Sequence, residues 1–136
     1  SRTDSDGKQS RKGDILMPTS DVTPKGLATA SCILEDGVIL GGDMNILRPK
    51  RNINSVFFSY RMNFATKNIM KLVTGTTIKH IYSKDLKELN FSIPSLPEQQ
   101  KIAEFLTGID NKIKAVAIQI DQAAEFKRGL LQKMFV

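Results

Sequence analysis

From Ile102 onward the apolar residues fall into two rows at strict seven-residue spacing. One row is Ile102, Ile109, Val116, Ala123 and Leu130. The other is Leu106, Ile113, Ile120, Lys127 and Met134. Nine of these ten positions are apolar. A seam kept over five heptads predicts a coiled-coil helix, because a slightly underwound helix holds such a stripe on one side. Ser95-Leu96-Pro97-Glu98 reads as its start, an S-x-x-E capping box with proline in the first turn. At about 1.5 Å per residue the helix is expected to be about 60 Å long. Gly108 and Gly129 lie inside it and each costs about 1 kcal/mol relative to Ala, so packing must hold the rod. The stripe needs a second helix, since each large side chain left in water forfeits about 1.5–3 kcal/mol. Lys127 favours an antiparallel pair. In a parallel pair two Lys127 side chains would meet in the seam, whereas crossing near Val116 sets Lys127 opposite Glu104 and Phe105.

Residues 1–94 read differently, as one modest domain of short elements, so the whole chain is expected to be α+β with a boundary at 94/95. Residues 1–12 hold no apolar side chain and read as loop. Gly13–Met17 reads as a short buried strand closed by Pro18. Thr19–Thr29 reads as a polar loop carrying Lys25. Asp36-Gly37 predicts a hairpin joining Cys32–Glu35 to Val38–Leu40, with positive φ at both turn positions. Met44–Leu47 reads as a strand. Asn54 or Ser55 is expected to cap a helix over the next nine residues, whose Phe57, Phe58, Tyr60 and Phe64 read as core. A second helical piece is expected over Thr66–Val73, a strand over Ile78–Tyr82, a helical turn over Ser83–Glu88 and a last strand over Leu89–Ile93.

Charge narrows the function. The net charge is +6, and the excess lies in residues 1–94, with 14 Lys/Arg against 9 Asp/Glu. A basic domain suggests a polyanion partner, nucleic acid first, or else only a basic solvated surface. Three features suit phosphate or base contacts: Thr76, Thr77, Lys79 and His80 following Gly75; the run Arg48-Pro49-Lys50-Arg51, with Arg48, Lys50 and Arg51 as contacts; and Lys25 in its loop. Each is also compatible with a plain solvated surface. Catalysis finds no support. There is one histidine, no C-x-x-C and no G-x-S-x-G, and Thr74–Thr77 lacks the spacing and lysine of a phosphate loop. No metal site and no catalytic residue is expected. Cys32 stands alone and suits a reducing cytoplasm. No apolar run approaches the roughly 20 residues of a membrane span, and no signal segment opens the sequence.

The stretch Ile93-Pro94-Ser95-Leu96-Pro97-Glu98-Gln99-Gln100-Lys101-Ile102 resembles the helix-opening signature of specificity subunits of type I restriction–modification systems. Gly13-Asp14-Ile15-Leu16, Gly75-Thr76-Thr77 with Asp85-Leu86, Asp110-x-x-Ile113, and Lys127-x-x-Leu130-Leu131-Gln132-x-Met134-Phe135 are similar to further stretches of that family. The resemblance implies a target recognition domain followed by one conserved helix. It implies a non-catalytic subunit that reads double-stranded DNA and assembles with a modification (methyltransferase) subunit and, through the complex, a restriction subunit. S-adenosylmethionine, ATP and Mg are then expected on those partners and none on this chain. A full subunit of the family has two recognition domains and two antiparallel helices. This sequence holds one of each and no tryptophan, so it is expected to be a half subunit or a fragment. The reading from a different class is a coiled-coil interaction protein that binds no DNA.

Overall fold

The computed structural model describes residues 8–135. The first seven residues of the expected opening loop lie outside them. Two compact units make up the chain, one closing at Gln100 and the other opening at Lys101.

The first unit is built around β1 (Ile15–Pro18). Ile15 and Met17 are fully buried, so this strand can only be central. It pairs antiparallel with β3 (Ser31–Cys32) on one side and β4 (Met44–Leu47) on the other. A second sheet joins β2 (Ser20–Asp21) antiparallel to β5 (Lys79–His80). Asn45 ties the two sheets. Its buried amide donates to the Ile81 carbonyl at 3.0 Å and accepts from the Ser83 hydroxyl at 2.8 Å. Leaving either polar end unmatched here would cost about 1–3 kcal/mol.

Helices cover the sheets. Between β2 and β3 lies α1 (Pro24–Leu27), and α2 (Ser55–Phe64) and α3 (Thr66–Met70) follow β4. The short α4 (Ser83–Leu86) follows β5. Asn54 caps α2 by accepting the Phe57 N–H at 2.9 Å. Asn63 meets the backbone of Ala30 with both ends of its amide, at 2.8 and 2.9 Å, in place of a strand partner. The core gathers Ile15, Met17, Leu27, Met62 and Ile69 from β1, α1, α2 and α3, with Ile81 from the segment just after β5.

Four sequence expectations are corrected. Ser31–Cys32 pairs with β1 instead of with Val38–Leu40. The Val38–Leu40 stretch meets Lys8–Ser10, where the Ser10 hydroxyl donates to the Glu35 carbonyl and accepts the Val38 N–H. That hydroxyl occupies groups a tight hairpin would have paired with each other. Of the two turn residues only Gly37 has positive φ, at +75°. Leu89–Ile93 forms no strand. Packing holds it instead, with the Phe91 ring edge-on to Phe58 at 5.6 Å and under the Arg61 guanidinium at 4.8 Å. Thr19–Thr29 contains β2 and α1, and its Leu27 and Ala28 are core residues. Phe64 is 86% exposed, so only Phe57 and Phe58 of the aromatic group pack inward, with Tyr60 half-buried.

The last helix, α5, runs Leu96–Met134. Its first bond is from the Gln99 N–H to the Ser95 carbonyl, which makes Ser95 the N-cap residue. Along the second unit the expected seam is open. Ile109, Ile113, Val116, Ile120, Lys127, Leu130 and Met134 are exposed, and Ile102 and Leu106 are half-buried. Phe105 and Phe126 are exposed as well. No helix among the described residues is long and apolar enough to cross a membrane.

Candidate nucleic-acid interface

Two of the three basic features lie on or directly beside the β2–β5 sheet. Ser20 lies opposite His80 and Asp21 opposite Lys79. The chain leaves β2 straight into α1, where Thr23 caps the helix by accepting the Gly26 N–H at 3.1 Å. Lys25 stands exposed on that turn. Asp21 is held in place by Thr23, accepting its N–H at 2.6 Å and its hydroxyl at 2.9 Å. Those bonds, the backbone one foremost, hold the Asp21 carboxyl below its ordinary value of 3.8. A Cβ at position 26 would run into the Asp21 carboxylate, which explains Gly26.

Across the sheet a closed loop precedes β5. The Thr74 N–H donates to the His80 carbonyl at 3.0 Å and the His80 N–H returns a bond of 2.8 Å. Gly75 sits in the left-handed region at φ +99°, where an added Cβ would meet the Ile78 carbonyl oxygen. Thr76, Thr77 and Ile78 are exposed at the tip. The Lys79 ammonium folds back onto the Gly75 carbonyl at 2.8 Å. An ammonium has three donors, so two remain for solvent or an anion. His80 is half-buried, with its ring parallel to that of Tyr82.

The third feature divides. The Arg48 Nε and Nη2 donate to the two carboxylate oxygens of Asp14 at 2.8 and 3.1 Å. Asp14 is buried and also accepts the Arg11 N–H at 2.8 Å. Hydrogen bonding from Arg48, above all, holds the Asp14 carboxyl below its ordinary value against the opposing effect of burial. Arg48 is therefore committed within the chain, although its side chain is half exposed. Lys50 and Arg51 are exposed after β4, outside the β2–β5 sheet. No group of three or more His, Cys, Asp or Glu side chains suited to a metal ion occurs among the described residues.

Sequence reasoning missed two groups. Asp14 was hidden inside an apolar strand reading, though a carboxylate beside buried Ile15 needs a cation. Gln99 is 1% exposed, and its amide accepts the Asn54 N–H at 2.8 Å and donates to the carbonyls of Pro94 and Asn52 at 2.9 and 3.3 Å. Its neighbour Gln100 accepts from the Asn54 side chain. The helix opening is thus the part of α5 anchored to the loop that starts α2.

Comparison with known proteins follows the same outline. Residues 3–125 match the family model described as the type I restriction modification DNA specificity domain. A Methanocaldococcus jannaschii protein named as the MjaX type I restriction enzyme specificity subunit is 32% identical over 99 residues, covering 70% of this chain and 23% of that protein. The MjaVIII specificity subunit of the same organism is 29% identical over 98 residues, covering 71% and 23%. The crystal structure of a type I restriction-modification S subunit from M. genitalium superposes with a TM-score of 0.70 at 23% identity, covering 93% of this chain and 33% of that one. The chain thus spans about a quarter of the length of the curated relatives it matches, and the fold it shares with the S subunit is α+β with short strands, short helices and one long helix. With the match running from residue 3 to residue 125, the chain belongs to the type I restriction modification DNA specificity domain family.

Proposed function

We propose that this chain is a DNA-reading half, or fragment, of a type I restriction–modification specificity subunit. Residues 1–94 serve as target recognition domain and residues 95–136 as spacer and assembly helix. The observation that carries this reading is the family match over residues 3–125. Lys79 and His80 on the β2–β5 sheet, Thr76 and Thr77 at the tip of the loop before it and Lys25 on the helix that follows β2 support it. Ammonium and hydroxyl groups there suit phosphate oxygens, which set orientation, while base edges set sequence. Lys50 and Arg51 add a second cationic site, to which Arg48 contributes less because Asp14 already holds it.

In this reading the chain performs no chemistry. Methylation belongs to a modification subunit holding S-adenosylmethionine, and cleavage to a restriction subunit using ATP and Mg. A second recognition half, or a second copy, pairs antiparallel along Ile102, Leu106, Ile109, Ile113, Val116, Ile120, Lys127, Leu130 and Met134. The exposure of most of this seam in the single chain supports that pairing. The complex works in the cytoplasm, where the DNA is. A coiled-coil protein that binds no DNA receives no support from the family match.

Duplex binding by the full chain, followed by fluorescence anisotropy over a range of salt, tests the reading. A steep fall of log affinity with log salt is expected, and Lys25→Ala with Lys79→Ala should lower both affinity and slope. Absence of duplex binding by the chain and by its complex with a modification subunit would overturn it.

A further inference from the structure

Residues 80, 82 and 84 form a ridge, and the cause lies in the residue between the first two. Ile81 is fully buried. Its N–H donates to the Thr19 carbonyl at 3.0 Å, and its own carbonyl accepts from Asn45 at 3.0 Å. Successive side chains of an extended segment point to opposite sides, so an anchored Ile81 sends His80 and Tyr82 the other way. Their rings lie 2° from parallel with centroids 6.1 Å apart, within the range of offset stacking. The Lys84 ammonium stands 5.9 Å from the Tyr82 ring centre. The Tyr82 N–H is fixed by the Asp85 carboxylate at 3.0 Å. Tyr82 is nonetheless 48% exposed. A broad ring is thus held at a fixed place, half in solvent, at the end of the strand that carries Lys79 and His80.

We propose that Tyr82 is a specificity-determining residue of the DNA-reading surface, contacting bases while His80 and Lys84 beside it contact phosphate. The inference rests on the DNA-reading function proposed above. Cations bind phosphate without regard to sequence, so Lys25, Lys79 and Lys84 supply affinity and orientation. Sequence needs a group with shape. The tyrosine ring offers an apolar face to a thymine methyl group, and its hydroxyl can donate to or accept from a base edge in the major groove. Three acids at this surface are already engaged, Asp21 by Thr23, Asp43 by the Ser20 hydroxyl and Asp85 by the Tyr82 N–H, which lessens their repulsion of a phosphate backbone.

The test begins with selection of bound sequences from a duplex library with a randomised centre, using the full chain. Affinities for the enriched duplex and for a scrambled one are then compared. Tyr82→Ala should weaken the enriched duplex about tenfold and the scrambled one hardly at all, so that the specificity ratio falls. Tyr82→Phe reports which part of the side chain reads. Retained discrimination assigns the ring, and loss equal to that of Tyr82→Ala assigns the hydroxyl. Lys84→Ala should weaken both duplexes and lower the salt slope by about one, whereas Lys112→Ala on α5 should change neither. Circular dichroism checks that each variant folds, and Tyr82→Leu, which removes ring and hydroxyl but keeps apolar bulk, takes the place of Tyr82→Ala throughout if that variant does not fold. Unchanged discrimination in Tyr82→Ala, with binding still lost in Lys25→Ala and Lys79→Ala, would overturn the inference and leave the DNA-reading function standing. Failure of any sequence to be enriched, by the chain and again by its complex with a modification subunit, would remove that function and the inference with it.

Discussion

The side-chain carbonyl of Gln99 accepts the backbone N–H of Asn54 at 2.8 Å, so the first turn of the long helix and the cap of α2 share one hydrogen bond. The same amide donates to Pro94 and Asn52. One buried side chain therefore fixes the first turn of α5 to residues 52–54. A well-formed helix opening and a well-placed α2 are in this molecule the same structural fact.

Gln99→Ala should destabilise the first unit by about 2–3 kcal/mol, because a buried N–H and two carbonyls lose their partner. Gln99→Glu should be at least as harmful, since it removes both donors and brings a charge into a buried site. Glu98→Ala, at an exposed position, should cost well under that. Urea unfolding followed by circular dichroism measures all three, and equal stability for Gln99→Ala and the parent would contradict this account.

Asp14 and Arg48 predict an acid-sensitive contribution to stability. The Asp14 carboxyl is held below its ordinary value of 3.8 in the folded chain, mainly by Arg48. The folded state therefore binds its proton less readily than the unfolded state does. The stabilisation is complete above about pH 4 and is lost as pH falls through the lower folded value. Arg48→Met should reduce stability near neutral pH, and the gap between variant and parent should close towards pH 2. Denaturation midpoints at several pH values would show it. A gap that stays constant with pH would mean that the arginine acts only through packing of its stem.

Gly75→Ala should damage the loop that presents Thr76 and Thr77. The position has φ +99°, and a Cβ there meets the Ile78 carbonyl. Strain of this kind costs about 1–3 kcal/mol. Gly41→Ala, with nothing near an added Cβ and no positive φ, should be close to neutral. Thermal melts compare the two, and similar effects would show that the loop relaxes freely.

Gly108 and Gly129 have open space around an added Cβ inside α5. Each change to Ala should raise helix stability by about 1 kcal/mol through the lost freedom of the unfolded chain. Helical content and melting of the full chain would report it. No gain at Gly108 would indicate that a partner helix approaches the backbone there.

Antiparallel pairing can be read by crosslinking. In a Cys32→Ser background, Val116→Cys should crosslink to itself, and Glu104→Cys should crosslink with Lys127→Cys in mixtures. Efficient self-crosslinking of Lys127→Cys would instead show a parallel pair. A chain that stays monomeric at high concentration would end the self-pairing proposal.

What could be read from sequence alone was whatever depends on neighbours along the chain. The heptad rows set α5, because a stripe at seven-residue spacing needs no knowledge of the rest of the molecule. Asn54 as a cap, β4 over Met44–Leu47 and the buried strand after Gly13 were legible for the same reason. Partners were not. Asp36-Gly37 signalled a turn, but whether Val38–Leu40 met Cys32–Glu35 or Lys8–Ser10 was settled by the Ser10 hydroxyl, which lies far along the chain from both groups it binds. Leu89, Phe91 and Ile93 alternate as a strand should, yet no free strand edge meets their backbone and Phe58 takes the Phe91 ring. Arg48 reads as one cation of three in a basic run until Asp14, just before β1, is placed beside it. Local propensity chooses helix, strand or turn over a few residues, whereas pairing and ion-pair commitment depend on which distant groups the packed core brings within about 3 Å.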